Sequence, residues 1–289
     1  MGGALSGLLR LLRYRFLLFA GLLPYALGSS AAFHAERRFD AGLFLVGLGG
    51  ILLVLVGVEA FNEYFDWRAG TDRVFQLEPV PVTVRTFQVG VIAFSGALLV
   101  ATLLALRCGM PIIAFSLAGF VGAFLYLGPP LRLAYRGYGE ITIACCYGPL
   151  MTLGSYYVQT RRIDVLPLLV SLIPGLLLFG IAVLNEIPDY FQDRLVGKRN
   201  ICVRVGQAST VRLYACVVTV AHVILLAALL SGTLPPLAWA AFVCLPLTWR
   251  STAVAMRASG TPRQLLPAIR LAILQYTGVL LVLIAGCAL

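Results

Sequence analysis

I-L-L-V-L-V-G-V-E-A-F-N-E-Y-F-D-W-R-A-G-T-D, residues Ile51–Asp72, decides how the rest of the chain is read. An apolar run long enough to belong to a membrane-spanning helix ends abruptly in a polar box, Asn62-Glu63-Tyr64-Phe65-Asp66, which continues to Asp72. The same transition recurs 123 residues later, where an apolar run ends in Asn185-Glu186-Ile187-Pro188-Asp189, followed by Asp193, Gly197, Lys198 and Arg199. Both boxes read N-E-x-x-D, and together with Glu59 they hold seven of the twelve acids in the chain. Two copies of one pattern at matching positions predict an internal repeat of paired helices, with the boxes at 62–72 and 185–200 related by pseudo-symmetry inside a single domain, 1–289.

Working outward, apolar stretches of spanning length continue along the chain. The predicted spans are 14–33, 42–62, 85–106, 111–128, 139–160, 165–187, 209–230, 234–255 and 265–288, with Pro246 and Pro267 expected to interrupt the last two. Composition agrees: the 289 residues are 60% hydrophobic and 12% charged, against about 25% charged in an average soluble domain. Such a chain cannot cover a water-facing surface. The expected fold is therefore all-α and polytopic, with about nine transmembrane helices and a lipid bilayer as solvent. Arg10, Arg13 and Arg15 before an apolar run resemble a signal peptide, but the spans that follow make this a retained first helix, and Leu5–Tyr14 can lie along the interface before it.

Charge fixes the expected orientation. With the N-terminus in the cytoplasm, 17 of the 22 basic residues fall in cytoplasmic segments, as the positive-inside rule requires. Both acidic boxes then face the cytoplasm, in a cell (inner or plasma) membrane. The net charge of +10 sits in short loops between apolar runs, so no nucleic-acid partner is expected. Seven cysteines form no C-x-x-C pair and two histidines, His34 and His222, are too few for a histidine metal centre.

The boxes carry the chemistry. Residues four apart share a helix face, so Asn62 can point with Asp66, and Asn185 with Asp189 and Asp193. Clustered carboxylates and amides suit a hard cation such as Mg²⁺, which commonly joins protein carboxylates to phosphate oxygens. Arg68, Arg73, Arg132, Arg136, Lys198, Arg199 and Arg204 flank them. Carboxylates, metal and cations together describe a diphosphate site. The plain alternative is a pair of solvated helix ends. A transporter would also carry intramembrane acids, but nearer mid-span.

The chain resembles the UbiA-type intramembrane prenyltransferases on these residues. Within that superfamily, N-E-Y-F-D-W-R-A-G-T-D (Asn62–Asp72), Y-R-G-Y-G-E (Tyr135–Glu140), G-P-L-M-T-L-G-S-Y-Y-V-Q-T (Gly148–Thr160) and N-E-I-P-D-Y-F-Q-D-R-L-V-G-K-R-N (Asn185–Asn200) are similar to the 1,4-dihydroxy-2-naphthoate polyprenyltransferases of menaquinone synthesis. The stretch from Leu77 to Thr86, rich in valine and proline, departs from that pattern and leaves the acceptor open: another aromatic ring, or a terpene cyclase reaction, fits the same boxes.

The resemblance implies nine helices around a central cavity, a polyprenyl diphosphate donor and an aromatic acid acceptor. It implies Asn62, Asp66, Asp72, Asn185, Asp189 and Asp193 as Mg²⁺ ligands, with the four aspartates and Lys198 acting on the leaving diphosphate. Arg68 is a further diphosphate contact. Arg132 and Arg136 are either acceptor-carboxylate contacts or positive-inside anchors. Tyr126, Tyr147, Tyr156 and Tyr157 are candidates to face an allylic cation. Glu140 either lines the site, orienting a base or removing a proton, or is a helix-start acid favoured by the macrodipole. Glu59, inside the second span, is expected to partner an arginine.

Overall fold

The structure is a computed structural model that describes residues 2–69, 82–258 and 262–289. Asp72 and Arg73 lie outside the described residues. Among the described residues every regular element is helical. In chain order they are α1 (Gly2–Glu36), α2 (Ala41–Ala69), α3 (Val84–Cys108), α4 (Pro111–Leu127), α5 (Gly139–Cys145), α6 (Met151–Thr160), α7 (Val165–Glu186), α8 (Tyr190–Leu195), α9 (Ile201–Val205), α10 (Gln207–Leu230), α11 (Leu245–Ala258) and α12 (Leu266–Ala288). Six helical segments among the described residues are long and apolar enough to cross a membrane: Ala41–Arg68, Val84–Cys108, Val165–Glu186, Gln207–Leu230, Pro236–Ala258 and Leu266–Ala288. The shorter Pro111–Tyr126 is apolar as well. Ile92, Leu106, Val223 and Trp249 face outward; a surface this apolar is matched by lipid rather than water.

Prolines mark where helices start or change winding. Pro246 sits where the predicted span 234–255 changes from 3-10 winding to α11, in the first turn of that helix, and Pro267 sits in the first turn of α12. An amide is dispensable there, because the first four N–H groups of a helix have no internal partner. The segment expected as one span over 139–160 is one continuous helical run, in which α5 and α6 are joined by a π-helical turn, Cys146–Leu150, that contains Pro149. Proline removes one hydrogen bond from the ladder, and the wider turn accommodates the loss. The stretch before α11, Pro236–Cys244, is wound as a 3-10 helix.

The second acidic box also departs from a continuous helix. Asn62 and Asp66 do lie within α2, but α7 stops at Glu186. Ile187, Pro188 and Asp189 form a turn, and α8 starts afresh at Tyr190. Pro188 has no N–H to continue the ladder, so Asn185, Asp189 and Asp193 are not three points on one helical stripe.

Helices pack through small residues and hydrogen bonds, as is common where lipid removes the hydrophobic drive between them. α1 meets α6 where Ser29 and Ser155 hydroxyls pair at 2.6 Å. The Tyr276 hydroxyl of α12 donates to the Ala20 carbonyl of α1 at 2.9 Å. Tyr214 of α10 donates to Ser251 at 2.8 Å, which donates in turn to the Ala268 carbonyl at 2.8 Å. One close crossing brings the π-helical turn against α7 at Gly148 and Gly175. A Cβ on Gly148 would come within 2.6 Å of the Gly175 Cα and 2.7 Å of the Ser171 carbonyl oxygen. Backbone cannot yield as a side chain can. Gly148→Val is therefore expected to destabilise the protein by about 1–3 kcal/mol, read as a lower unfolding temperature of the detergent-solubilised protein.

Candidate active site

One cavity of about 920 Å³ joins the two boxes. At one end Asn62 and Asp66 of α2 line it together with Asn185 and Glu186 of α7, Asp189 and Asp193. Lys198 lines that end too, and it is the one basic side chain on the cavity wall among the described residues. From there the cavity runs between α2, α3, α4, α5 and α6. Tyr25, Leu104, Ile112 and Val158 line its far end. The lining is mostly apolar, with polar groups gathered at one end, as in many ligand sites.

Asp193 is the most constrained of the acids. It is 6% exposed. The Asn200 side-chain amide donates to its Oδ2 at 2.6 Å, and the Lys198 ammonium lies 3.2 Å from the same oxygen. Asn200 itself is fully buried and caps α9, its Oδ1 accepting from the Val203 amide at 2.9 Å. Burial disfavours the charge on Lys198, but Asp193 and, further off, Tyr126 and Asp66 more than offset it, so its pKa lies above the usual lysine range. Lys198 is therefore a fixed positive charge at every physiological pH.

Glu140 and Glu186 grip the same short helix. Glu140, buried in the first turn of α5, accepts from the Ile201 amide at 2.9 Å. Glu186 accepts from the adjacent Cys202 amide at 3.2 Å. Two of the four orphan donors at the start of α9 are thus met by acids from two other helices. The Y-R-G-Y-G-E stretch is held against the second box as well. The Arg199 amide donates to the Tyr135 carbonyl at 3.0 Å, and Arg204 Nε to the Arg199 carbonyl at 2.8 Å. Gly137 sits at φ +74°, and a Cβ there would meet Arg204 Nε at 2.8 Å, so both its conformation and its space call for glycine. Glu140 sits in the first turn of α5 and on the cavity lining, with its carboxylate turned to the start of α9.

The remaining candidates divide. Tyr126 and Tyr147 line the cavity. Tyr156 does not; it is fully buried and donates to Asp164 Oδ2 at 2.8 Å. Tyr157 packs on Phe115 instead, with ring centroids 6.3 Å apart. Arg68, Arg132 and Arg136 are exposed and outside the lining. Arg68 reaches back one turn to the Tyr64 hydroxyl at 3.3 Å, and Arg136 reaches the Pro130 carbonyl at 3.5 Å. Glu59 does face the cavity.

Sequence reasoning missed an aromatic wall. Phe61, Phe87, Phe94, Phe120 and Phe124 line the cavity next to the acidic end. Phe61 is its hub, stacked on Phe87 at 5.2 Å, tilted against Phe94 at 5.1 Å and edge-on to Phe124 at 6.0 Å. The signal was present as spacing: Phe120 and Phe124 are four apart, Phe87 and Phe94 seven, so each pair shares one face of its helix.

Among the described residues no three acids, histidines or cysteines converge closely enough to hold a metal alone. The donor set nonetheless fits Mg²⁺ bound jointly with a phosphate-bearing ligand: hard oxygen atoms from two walls, including a buried Asn62 Oδ1 without a hydrogen-bond partner.

An apolar helical bundle with a buried acidic and amide-lined pocket at one end of a long cavity is the build of a membrane-embedded enzyme acting on an amphiphile with an anionic head. The chain belongs to the UbiA prenyltransferase family, whose sequence model matches residues 21–288. It is thus a prenyltransferase and a multi-pass membrane protein. It is 26% identical to the 1,4-dihydroxy-2-naphthoate octaprenyltransferase of Bacillus subtilis, over 78% of this chain and 75% of that one. It is 30% identical to the Mycobacterium tuberculosis protein of the same name, over 84% of this chain and 83% of that one. Its fold matches the apo structure of a UbiA homologue from Aeropyrum pernix, with TM-score 0.73 and 16% identity over 93% of this chain and 96% of that one. It also matches a UbiA homologue from Archaeoglobus fulgidus bound to DMAPP and Mg²⁺, with TM-score 0.63 and 16% identity over 95% and 98% of the two chains.

Asn200 links the Asp193 carboxylate to the start of α9. Asn200→Ala is expected to lower stability by about 1–3 kcal/mol through the lost cap and buried hydrogen bond. Thermal unfolding in detergent measures it.

Proposed function

We propose that the chain transfers a polyprenyl group from its diphosphate to 1,4-dihydroxy-2-naphthoate, with loss of carbon dioxide, at the cytoplasmic end of a nine-helix membrane domain. The observation that carries this reading is the single cavity that combines the two boxes and Lys198 at one end with a long apolar interior. The relatives from Bacillus subtilis and Mycobacterium tuberculosis bear the name of this reaction, and the Archaeoglobus fulgidus neighbour binds DMAPP with Mg²⁺.

The nine helices of the proposal take α1, α4, the joined α5–α6 and the six long apolar segments as crossings. The N-terminus is placed inside by the excess of basic residues in alternate loops. The whole chain is read as one catalytic domain, its boxes as two halves of one site.

The donor diphosphate lies at the acidic end. Asn62, Asp66, Asn185, Asp189 and Asp193, with Asp72, would hold Mg²⁺ there, and bound Mg²⁺ would neutralise the charge on the leaving diphosphate. Lys198, already cationic, contacts the diphosphate and stabilises it as the allylic carbon–oxygen bond breaks. Its tie to Asp193 fixes where that charge sits. The apolar tail of the donor runs toward Tyr25 and Val158. Tyr126 and the phenylalanine wall face the allylic carbon, their ring faces favouring positive charge while the buried interior keeps water from capturing it. A ring carbon of the acceptor forms the new bond to the allylic carbon, diphosphate departs with the bonding pair, and the ring carboxylate leaves as carbon dioxide. Glu140 positions α9, and with it Asn200 and Lys198, rather than meeting the substrate.

Purified protein supplied with Mg²⁺, a long prenyl diphosphate and a panel of aromatic acids tests this. The expected product is a prenylated, decarboxylated naphthoate ring. Diphosphate release without consumption of any acceptor would instead identify a cyclase. Asp66→Asn and Asp189→Asn are each expected to reduce turnover by about 100-fold or more while the protein stays folded; full activity in both variants would overturn the ligand assignment.

A further inference from the structure

Glu59 is an acid that the diphosphate chemistry does not use. It sits on α2 one helical turn from Asn62, on the side away from the box, and lines the cavity between Val58 and Phe61. One of its carboxylate oxygens is sealed from solvent. Tyr147, in the π-helical turn on another wall of the same cavity, is 8% exposed, and its hydroxyl is buried without a hydrogen-bond partner. Glu59 and Tyr147 line the same cavity. Buried polar groups are normally hydrogen-bonded, so a buried hydroxyl left over in a ligand cavity points to a ligand atom.

Neither part of the donor supplies that atom. The diphosphate belongs with Asp66, Asp189 and Lys198, at the end of the cavity, and the isoprenoid tail has no polar atoms. A second substrate with hydroxyl groups on an otherwise apolar ring does supply it. Such a ring also has faces that can lie against Phe61, which lines the same cavity.

We infer that Glu59 and the Tyr147 hydroxyl form the subsite for a ring hydroxyl of the aromatic acceptor, and so select hydroxylated acceptors. This rests on the acceptor reading above. The acceptor hydroxyl donates to the Glu59 carboxylate, and the Tyr147 hydroxyl donates to an oxygen of the same ring. Hydrogen bonding to a carboxylate pushes electron density into the ring and strengthens the carbon that attacks. Both residues touch the substrate in this arrangement. Because binding a ring that lacks the required oxygen leaves the buried Tyr147 hydroxyl without a partner, the subsite discriminates more sharply than an apolar pocket could.

The test compares wild type, Glu59→Gln and Tyr147→Phe in detergent, with 1,4-dihydroxy-2-naphthoate and the two analogues that each lack one of its ring hydroxyls. Glu59→Gln is expected to raise the acceptor KM by about tenfold or more for the dihydroxy ring and for the analogue that retains the contacted hydroxyl. The other analogue binds wild type and Glu59→Gln equally weakly. The KM for the prenyl diphosphate stays within about twofold of wild type. Tyr147→Phe shifts the same acceptors in the same direction by less. An equal loss of kcat on all three acceptors, or a raised donor KM, would place Glu59 with the allylic cation or the metal and overturn the subsite. Unchanged acceptor kinetics in both variants would overturn it as well, with the acceptor reading intact. Wild type that prenylates no hydroxylated aromatic acid would remove the acceptor reading, and the subsite with it.

Discussion

A carboxylate buried at the end of an apolar bundle must be paired, and Asp193 shows how much structure that requirement organises. Its partners, Asn200 and Lys198, come from the chain just after it. Asn200 starts α9, and the start of α9 is where Glu140 and Glu186 arrive from α5 and α7. Four helices, α5, α7, α8 and α9, and the loop between the last two are therefore registered by one set of hydrogen bonds. Removing any one partner would leave a buried polar group in a medium that solvates it poorly. The same network leaves Lys198 charged and stationary beside the acids, which is what an anionic leaving group needs.

The protein divides its polar groups between two tasks along one cavity. At the acidic end oxygen donors face each other from α2 and from the α7–α8 turn, suited to a cation shared with phosphate. One turn deeper, Glu59 and Tyr147 interrupt a wall that is otherwise apolar and aromatic. Elsewhere the lining is mostly apolar, with hydroxyl-bearing Tyr25, Ser95, Ser116, Thr142 and Ser155 interspersed. The order of these zones along the cavity sets the order in which a donor head, a reacting carbon with its acceptor, and a tail can lie.

Helix positions were legible in the sequence because lipid imposes length and apolarity on any segment that crosses it. The boxes were legible because Asn62 to Asp66 and Asn185 to Asp189 repeat one spacing. What was not legible follows from groups whose effect depends on neighbours far along the chain. Pro188 could be seen, but whether α7 would kink or stop depended on whether α8 had somewhere to turn. Pro246 and Pro267 looked like interruptions because helix starts inside long apolar runs carry no polar cap to mark them. Arg68 and Arg136 looked like site residues by proximity in sequence, yet the Tyr64 hydroxyl and the Pro130 carbonyl hold them elsewhere. Glu59 announced itself as costly, but its place on one cavity with Tyr147 arises only once α2 and the π-helical turn face that cavity. The phenylalanine wall draws on three helices, and no local pattern distinguishes it from ordinary packing.

The two acidic boxes are alike in sequence and unlike in mechanics. α2 carries Asn62 and Asp66 on an unbroken rod. Asp189 hangs on a proline-containing turn whose backbone hydrogen bonds, Ile187 to Leu184 and Tyr190 to Ile187, are both 3.3 Å long, toward the weak end of such bonds. Within the second box, Asp193 is held tightly while Asp189 sits on the longer-bonded turn. In the proposed reaction, a headgroup would be gauged against the fixed oxygens of α2 and Asp193, and the turn at Asp189 would be the part that yields to it.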